Sequence, residues 1–213
     1  MKNTFQILFL GLFFLLAGCT EYGPVIPREV KQETTDQNDS KTPDLEEKIA
    51  PEDIADVAVL TLKEKDMQSL SQYIHPSKGI RFSPYGYVSL ETDLVFTAQQ
   101  AQLLMTDTTV YHWGTFDGSG DPIEMTFTEY YERFVYDHDY TQAEQTAINQ
   151  RIGQGNTLDN SQEVYPNATI VEYHFSGFDP QYEGMDWRSL RIVLEEEDGK
   201  WYIVGIIHDE WTI

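Results

Sequence analysis

The chain has 213 residues, with 36 acidic and 14 basic side chains and a formal net charge of −22. This excess of acid argues against binding to nucleic acid or to anionic lipid headgroups, because both require neutralisation by lysine and arginine. Cys19 is the one cysteine, so the chain cannot form an internal disulfide and must be stabilised by its core.

The N-terminal residues have the pattern of an export signal. An apolar run from Ile7 to Leu15 follows the charge of Lys2 and is too short to span a bilayer comfortably. The run ends in Leu16-Ala17-Gly18-Cys19, and small residues at this point are typical of a cleavable signal.

These four residues resemble the lipobox of bacterial lipoproteins. The resemblance implies cleavage before Cys19, a diacylglyceryl group on its thiol, and acylation of the new N-terminus by a chain such as palmitate. Two or three acyl chains anchor a protein stably, whereas one is marginal. The implied location is the cell membrane, lipid-anchored on the extracytoplasmic face. The alternative is an ordinary secretory signal followed by a chance cysteine.

Three regions follow from this pattern: a signal peptide over 1–18, the lipidated cysteine with an acidic linker over 19–52, and a single domain over 53–213. The linker is poor in aromatic residues and is expected to be disordered, with a reach of roughly 30 Å. The domain carries nine basic and 27 acidic side chains. It should therefore be repelled by anionic surfaces and tolerate cationic partners or divalent ions.

The first predicted element of the domain is a helix that begins near Pro51 and ends at Pro76. Its apolar residues recur at three- and four-residue spacing, which predicts one buried stripe. The stripe consists of Val57, Leu60, Met67, Leu70 and Ile74. His75 is predicted to cap the C-terminal end, where the helix dipole favours a protonated imidazole.

Short strands are predicted over 80–82 and 85–90, around a Ser83-Pro84 turn. Thr97 with Gln100, and Thr126 with Glu129, have the spacing of capping boxes at the start of helices. A β-rich segment over 108–116 ends at a predicted turn over 117–120.

The later part of the middle region is predicted from similar local patterns. Thr141 with Glu144 suggests another short helix. Phe127, Tyr130, Tyr131 and Phe134 are expected to face the core from the helix that Thr126 begins. A loop is predicted over 153–161.

The C-terminal third predicts strands over 164–175, 187–196 and 201–213. Asp198-Gly199 is the signal of a two-residue type I′ hairpin turn. That turn would place Leu194 opposite Ile203, Ile192 opposite Gly205, and Leu190 opposite Ile207. Gly205 in mid-strand indicates a bend or a bulge.

A helix at the start, mixed elements in the middle and a long hairpin at the end predict an α+β domain. The helical stripe 57–74 and the terminal run 198–204 resemble the NTF2-like superfamily. This resemblance implies an N-terminal helix packed on a strongly bent antiparallel sheet that ends in a long C-terminal hairpin, with a cone-shaped pocket. The insertion over 134–161 departs from a compact version of that fold.

The candidate pocket residues are Asp209, His208, Trp211 and Trp113. If strand alternation continues past Ile207, Asp209 and Trp211 face the core, whereas a bulge at Gly205 would place His208 there instead. A buried carboxylate requires a partner or a solvated cavity. The alternative for Asp209 is a structural salt bridge to Arg188 or Arg191.

Two acidic clusters give weaker signals. Residues 117–121 place oxygen ligands as a calcium loop does, but Pro122 and Thr128 occupy positions where that loop needs glycine and a bidentate glutamate. Asp137-His138-Asp139 has no partner at ligand spacing, which favours a polar loop. No metal site or cofactor is predicted.

The leading functional hypothesis is a membrane-tethered domain that binds a small ligand, a peptide or a partner protein without catalysis and without contact to nucleic acid. It rests on the tether, the absence of motifs such as GxSxG or HExxH, and the 13 tyrosines and four tryptophans. Two alternatives stay open: a small hydrolase or isomerase that uses Asp209 or His208, and a divalent-cation binder.

Overall fold

A computed structural model describes residues 49–212. The lipobox, Cys19 and the linker up to residue 48 lie outside the described residues. Within 49–212, no helix combines the length and the apolar content needed to cross a bilayer.

The described chain contains five α-helices and eight strands. The helices are α1 (Pro51–Lys63), α2 (Met67–Leu70), α3 (Ala98–Ala101), α4 (Phe127–Phe134) and α5 (Ser161–Val164). The strands are β1 (Ile80–Ser83), β2 (Leu94–Phe96), β3 (Tyr111–Thr115), β4 (Pro122–Met125), β5 (Gln145–Ile148), β6 (Thr169–Phe175), β7 (Arg188–Glu197) and β8 (Lys200–Glu210).

Six strands form one sheet in the order β2-β1-β8-β7-β6-β5, and β3 with β4 forms a separate hairpin. All neighbours in the sheet are antiparallel except β1 and β8, which run parallel. Helix α1 packs on β6, β7 and β8. The predicted α+β class, with an N-terminal helix on a bent sheet that ends in a long hairpin, is confirmed.

The first helix is shorter than predicted and presents a different face. It ends at Lys63, and Lys65 adopts a positive φ of 55°, so the chain begins a new helical segment at Met67. Leu60 is 53% exposed, which contradicts its place in the predicted stripe. The buried residues of α1 are Ile54, Ala55, Ala58, Val59 and Leu62. Two alanines thus complete the buried face, which a count of large apolar residues overlooked.

His75 does not cap a helix. Its ring is buried, and Nδ1 accepts hydrogen bonds from the backbone N–H groups of Ser77 and Lys78 at 3.3 and 3.2 Å. The imidazole therefore holds the tight turn that leads into β1.

Two other local predictions were wrong. Residues 85–90 form a loop, and β1 pairs with β2 instead. Thr141 lies within a 3-10 turn, Tyr140–Gln142, which leads into β5 and not into an α-helix. In both segments, tertiary contacts of the sheet override the local pattern.

Both other capping boxes are confirmed. Thr97 and Gln100 begin α3, and Thr126 and Glu129 begin α4. Phe127, Tyr130, Tyr131 and Phe134 are all buried, as predicted.

Replacing Thr126 with alanine should lower the free energy of unfolding by about 1 kcal/mol, the usual cost of losing an N-cap. Its hydroxyl accepts the Glu129 backbone N–H, and the Glu129 carboxylate accepts the Thr126 backbone N–H at 2.8 Å. Urea denaturation would measure the change. Unchanged stability would show that packing alone holds α4.

The terminal hairpin has the predicted turn but not the predicted register throughout. Asp198 and Gly199 have φ values of 52° and 80°, as a type I′ turn requires. Leu194 pairs with Ile203 as expected, but the register then shifts, and Val193 lies opposite Gly205. Beyond the shift, Leu190 pairs with His208 and not with Ile207.

This bulge at Val204 reverses the side-chain alternation of the rest of β8. His208 shares the side of the sheet that carries Leu190 and the α1 contacts, which we call the helix face. Asp209 lies on the opposite side with Ser189, which we call the outer face. The placement of Asp209 towards the helix-covered core was therefore wrong, and the bulge alternative is confirmed.

Both faces of the central strands β7 and β8 are buried along most of their length. Aromatic rings fill the helix face, and Trp113 stacks on Tyr130 with ring centroids 3.8 Å apart. The segment 149–165 and the loop 84–93 cover the outer face. Gly86 approaches it so closely that a Cβ there would lie 2.7 Å from Asp209 Oδ2.

Candidate functional site

Asp209 is fully buried in an ion-pair network on the outer face. Its Oδ2 accepts hydrogen bonds from Arg191 Nη2 at 2.5 Å and from Arg151 Nη2 at 2.9 Å. The alternative of a salt bridge to Arg191 is therefore confirmed. The Asp209 side chain has no exposed surface, so it offers no access to a substrate.

Glu172 completes this network and is equally enclosed, with 1% of its surface exposed. It accepts from Arg191 Nε at 3.2 Å, from Ser189 Oγ at 2.6 Å, and from the backbone N–H groups of Ile152 and Gly153 at 2.9 Å each. Burial would lower the pKa of Arg191, but the carboxylates of Asp209 and Glu172 raise it above its ordinary value. The network thus attaches the segment around residue 152 to the sheet.

His208 belongs to a second network, at the end of the helix face. It is fully buried, with Nδ1 3.2 Å from the Pro84 carbonyl and Nε2 3.4 Å from Asp137 Oδ2. Arg188 Nε also donates to Asp137, at 3.0 Å. Burial would raise the pKa of Asp137, but His208 holds it well below its usual range. Arg188 also pairs with Glu210, at 3.1 Å.

In these two networks the carboxylates of Asp209 and Glu172 and the imidazole of His208 are almost fully buried and already have partners. Asp209 and His208 lie on opposite faces of the sheet, so they cannot act on one substrate. Trp211 follows the end of β8 and is 36% exposed. Of the four predicted pocket residues, Trp113 lies in the lining of a cavity within residues 49–212.

That cavity has a volume of about 460 Å³ and lies between the loop 84–93 and the β3–β4 hairpin, with Thr157 at one side. We call it the Asp93 cavity. Its lining combines aromatic rings, hydroxyl groups and the carboxyls of Asp93 and Asp117. The aromatic members are Tyr85, Tyr87, Trp113 and Phe116. Its volume lies in the range of small-molecule sites, roughly 300–1,000 Å³.

Asp93 is the most perturbed group of the cavity. It is 8% exposed, and burial raises its pKa to about 6, although the hydroxyl of Ser83 and the backbone N–H of Ser89 oppose the rise. Both donate to Oδ2, at 2.5 and 3.0 Å. Among residues 49–212, no group donates to Oδ1. One carboxylate oxygen is thus held in place, and the other is left for a ligand.

Trp113 and Tyr130 form the base of this region. Trp113 is 1% exposed and donates its indole N–H to the Met125 carbonyl at 3.0 Å. The Tyr130 hydroxyl is buried without a hydrogen-bond partner in the described chain. Burial raises its pKa well above the ordinary value, and the nearby charges of Asp93 and Tyr85 add to this effect. A buried hydroxyl without a partner is unusual in folded proteins.

A second cavity of about 120 Å³ lies beside the outer-face network. Arg151, Arg191, Glu172 and Asp159 line it, and these side chains already pair with one another. Its smaller volume and the existing ion pairs make it a poorer ligand site than the Asp93 cavity.

The acidic clusters singled out in the sequence have structural roles. Residues 117–120 form the tip of the β3–β4 hairpin, as predicted, and Asp117 accepts hydrogen bonds from the Gly118 backbone N–H and the Thr157 hydroxyl. In the part of the chain that the structure describes, no group of three or more His, Cys, Asp or Glu is placed to hold a metal ion.

No protein-family model matches the chain, and no curated protein matches it. Three solved structures are similar, each at low identity. A putative calcium/calmodulin dependent protein kinase II association domain from Xanthomonas campestris is 15% identical, with 75% of this chain and 83% of that chain covered and a TM-score of 0.31.

The other two are equally distant. A chain called Rd1NTF2_05 with several substitutions is 10% identical, with coverages of 74% and 93% and a TM-score of 0.28. A DUF4783 family protein from Bacteroides ovatus is 10% identical, with coverages of 72% and 91% and a TM-score of 0.26. Structural neighbours thus include NTF2-like and DUF4783 proteins, and the α+β class itself rests on the element order described above.

Proposed function

We propose that this protein is a lipid-anchored extracytoplasmic lipoprotein whose folded domain binds a small ligand in the Asp93 cavity, without catalysis. The observation that carries the proposal is the cavity itself. It joins a volume suited to a small molecule with aromatic walls and one buried carboxyl, a combination typical of ligand sites.

Two features support binding over catalysis. A nucleophilic mechanism needs a hydroxyl or thiol beside a general base such as histidine. The described lining of the cavity holds no histidine, cysteine or lysine. Ser83 donates its hydrogen to Asp93 from a buried position, which fixes the carboxyl. The arrangement orients an acceptor for a ligand.

The cavity also favours a small ligand over a peptide or a partner protein. An extended peptide would need an exposed groove or a free strand edge. The Asp93 cavity is instead bounded by the loop 84–93 on one side and the tip of a hairpin on the other. A compact molecule of a few heavy atoms fits such a space, and we expect its polar group to contact Asp93.

Filling the cavity should abolish ligand binding. Thr115 lines it from an exposed position on β3, so Thr115→Trp places an indole in the ligand space with little expected effect on the core. Thr146→Trp, on the exposed strand β5, is the matched control. We would screen a library of small amines, sugars and carboxylates by ligand-observed NMR. Hits that bind the wild type and Thr146→Trp but not Thr115→Trp are expected. Hits that bind all three proteins equally would contradict the proposed site.

The membrane anchor has its own test. The sequence Leu16-Ala17-Gly18-Cys19 supports lipidation, so the mature protein should begin at Cys19 and carry diacylglyceryl and acyl groups. Mass spectrometry of the protein from the membrane fraction should show their added mass. Cys19→Ser should release the protein from that fraction. An unmodified thiol in the membrane-bound wild type would contradict the proposal.

A further inference from the structure

The Asp93 cavity has an unbalanced charge. Fifteen residues line it, and they include Asp93 and Asp117 but no lysine, arginine or histidine. Arg81 acts on Asp93 electrostatically, yet its Nη1 donates to the backbone carbonyls of Ser89 and Asp93, at 3.4 and 3.0 Å. The guanidinium is therefore engaged by the loop and is not part of the lining.

The lining offers a ligand no cationic donor: its polar side chains are hydroxyl groups and the carboxyls of Asp93 and Asp117. Asp93 Oδ2 is occupied by Ser83 and Ser89, whereas Oδ1 receives no hydrogen bond from the described residues. An ionised carboxylate can only accept hydrogen bonds, so its partner must be a donor. A charged donor forms a hydrogen bond roughly twice as strong as a neutral one.

The apolar part of the lining also suits a cation. Tyr85, Tyr87 and Phe116 contribute rings to the cavity, and Tyr87 is 52% exposed at its edge. An ammonium ion is attracted to the faces of aromatic rings, by about 0.5–2 kcal/mol for each favourable contact. The 18-charge excess of acid over base in the domain adds a long-range attraction for cations.

We infer that the Asp93 cavity binds a small organic cation, with an ammonium group at Asp93 Oδ1 and a short apolar chain against the aromatic rings. This inference rests on the proposed function and specifies the class of its ligand. Asp117, at the hairpin tip, provides a second carboxylate on the entry side of the cavity.

Three probes with similar short alkyl chains separate charge from burial. They are n-butylammonium, 1-butanol and butyrate, titrated into the full-length chain carrying Cys19→Ser, with backbone amide chemical shifts as the readout. We expect n-butylammonium to shift the amides of residues 84–93 and 113–120. It should bind at least about tenfold more tightly than 1-butanol, because both probes can donate to the carboxylate but only the ammonium adds an opposite charge. Butyrate should not bind.

Two variants connect the preference to the carboxylates. Asp93→Asn should remove most of the preference for n-butylammonium over 1-butanol. Asp117 is exposed, so Asp117→Asn is not expected to disturb folding. This variant should weaken n-butylammonium binding by about twofold to fivefold, because it removes a long-range electrostatic attraction. Asp121→Asn, an exposed acid on the same hairpin outside the cavity lining, is the matched control and should bind as the wild type does.

The possible results separate the inference from the function on which it rests. Equal binding of 1-butanol and n-butylammonium, or tighter binding of butyrate, would overturn the cation inference and leave a ligand-binding cavity. The absence of amide shifts in these segments with all three probes at millimolar concentration would overturn both. Binding of n-butylammonium that Asp93→Asn leaves unchanged would also overturn the inference.

The ammonium group can come from a free amine or from a lysine side chain. Nα-acetyl-lysine methylamide carries the same butylammonium on a peptide unit and so distinguishes the two sources. Weaker binding of this probe than of n-butylammonium would support the inference with a free amine as the ligand. Tighter binding would point to a lysine side chain and would contradict the small-ligand function on which the inference rests.

Discussion

Replacing Arg191 with methionine is expected to lower the free energy of unfolding by about 3 to 5 kcal/mol, the cost of breaking a buried ion pair by removing one partner. Arg191 is 2% exposed and pairs with Glu172 and Asp209, which are 1% and 0% exposed. Without its guanidinium, both carboxylates lose a partner although almost none of their surface is exposed to solvent. Urea denaturation at pH 7 would measure the loss.

Asp209→Asn should cost less than Arg191→Met. Arg151 and Arg191 face the three carboxylates of Glu172, Asp159 and Asp209, so the network has one acid in excess. Burial raises the pKa of Asp209, although Arg191 and Arg151 oppose the rise. Replacing Asp209 with neutral asparagine therefore removes the free-energy cost of burying a charge as well as the attraction of that charge to Arg191 and Arg151. The double variant Arg191→Met/Asp209→Asn should recover part of the loss, since one carboxylate fewer remains without a partner.

Lys63→Met provides the control for this series. Lys63 pairs with Asp139 at 2.8 Å, but its side chain is 38% exposed, and such surface pairs contribute little. We expect no measurable change in stability. If Arg191→Met were equally silent, the outer-face network would not hold segment 149–165 on the sheet.

The stability difference between Asp93→Asn and the wild type is expected to grow by about 2 kcal/mol between pH 4 and pH 7, in favour of the variant. The pKa of Asp93 is raised to about 6 by burial in the folded state. In the unfolded chain the carboxyl ionises near its ordinary pKa. At pH values between this pKa and the pKa in the folded state, Asp93 is therefore ionised in the unfolded chain but still protonated in the folded protein. Wild-type folding is therefore penalised progressively from about pH 4 to pH 6, and the full penalty remains above that range.

An asparagine avoids this penalty because it does not ionise, and its side-chain oxygen can still accept from Ser83 and the Ser89 N–H. Urea denaturation of both proteins at several pH values gives the difference directly, and effects of the other acids cancel. Asp121→Asn, which changes an exposed acid at the β3–β4 hairpin, is the control measured beside it. If the stability difference between Asp93→Asn and the wild type did not change with pH, Asp93 would be solvated in the folded protein.

Local signals predicted the parts of the fold that depend on neighbours in sequence. The Asp198-Gly199 turn and the boxes at Thr97 and Thr126 are formed by residues at most three apart, so the sequence contains all of their partners. The bulge at Val204 depends instead on the sheet around it. Tyr165 Oη, only 3.0 Å from the place where a Gly205 Cβ would lie, comes from a distant segment. Gly205 therefore indicated that alternation would fail nearby, but not at which residue.

The candidate site was largely missed for the same reason. Asp93 follows Glu91 and Thr92 in a stretch typical of a surface turn, and nothing in its spacing indicates burial. Asp93 becomes a candidate ligand-binding group because Ser83, ten residues earlier, donates a hydrogen bond to it. The β3–β4 hairpin also lies beside it across the cavity. Trp113 lies in the lining of the Asp93 cavity, whereas Asp209 and His208 were chosen by an alternation that the bulge reversed.

The most direct test is a carboxyl titration of Asp93 by carbon-13 NMR, with and without saturating n-butylammonium. A ligand cavity built around a buried acid predicts a midpoint near pH 6 in the free protein. It predicts a lower midpoint in the complex, because a bound cation favours the ionised carboxylate. A midpoint near pH 4 that n-butylammonium does not move would contradict both the buried carboxyl and its role in binding.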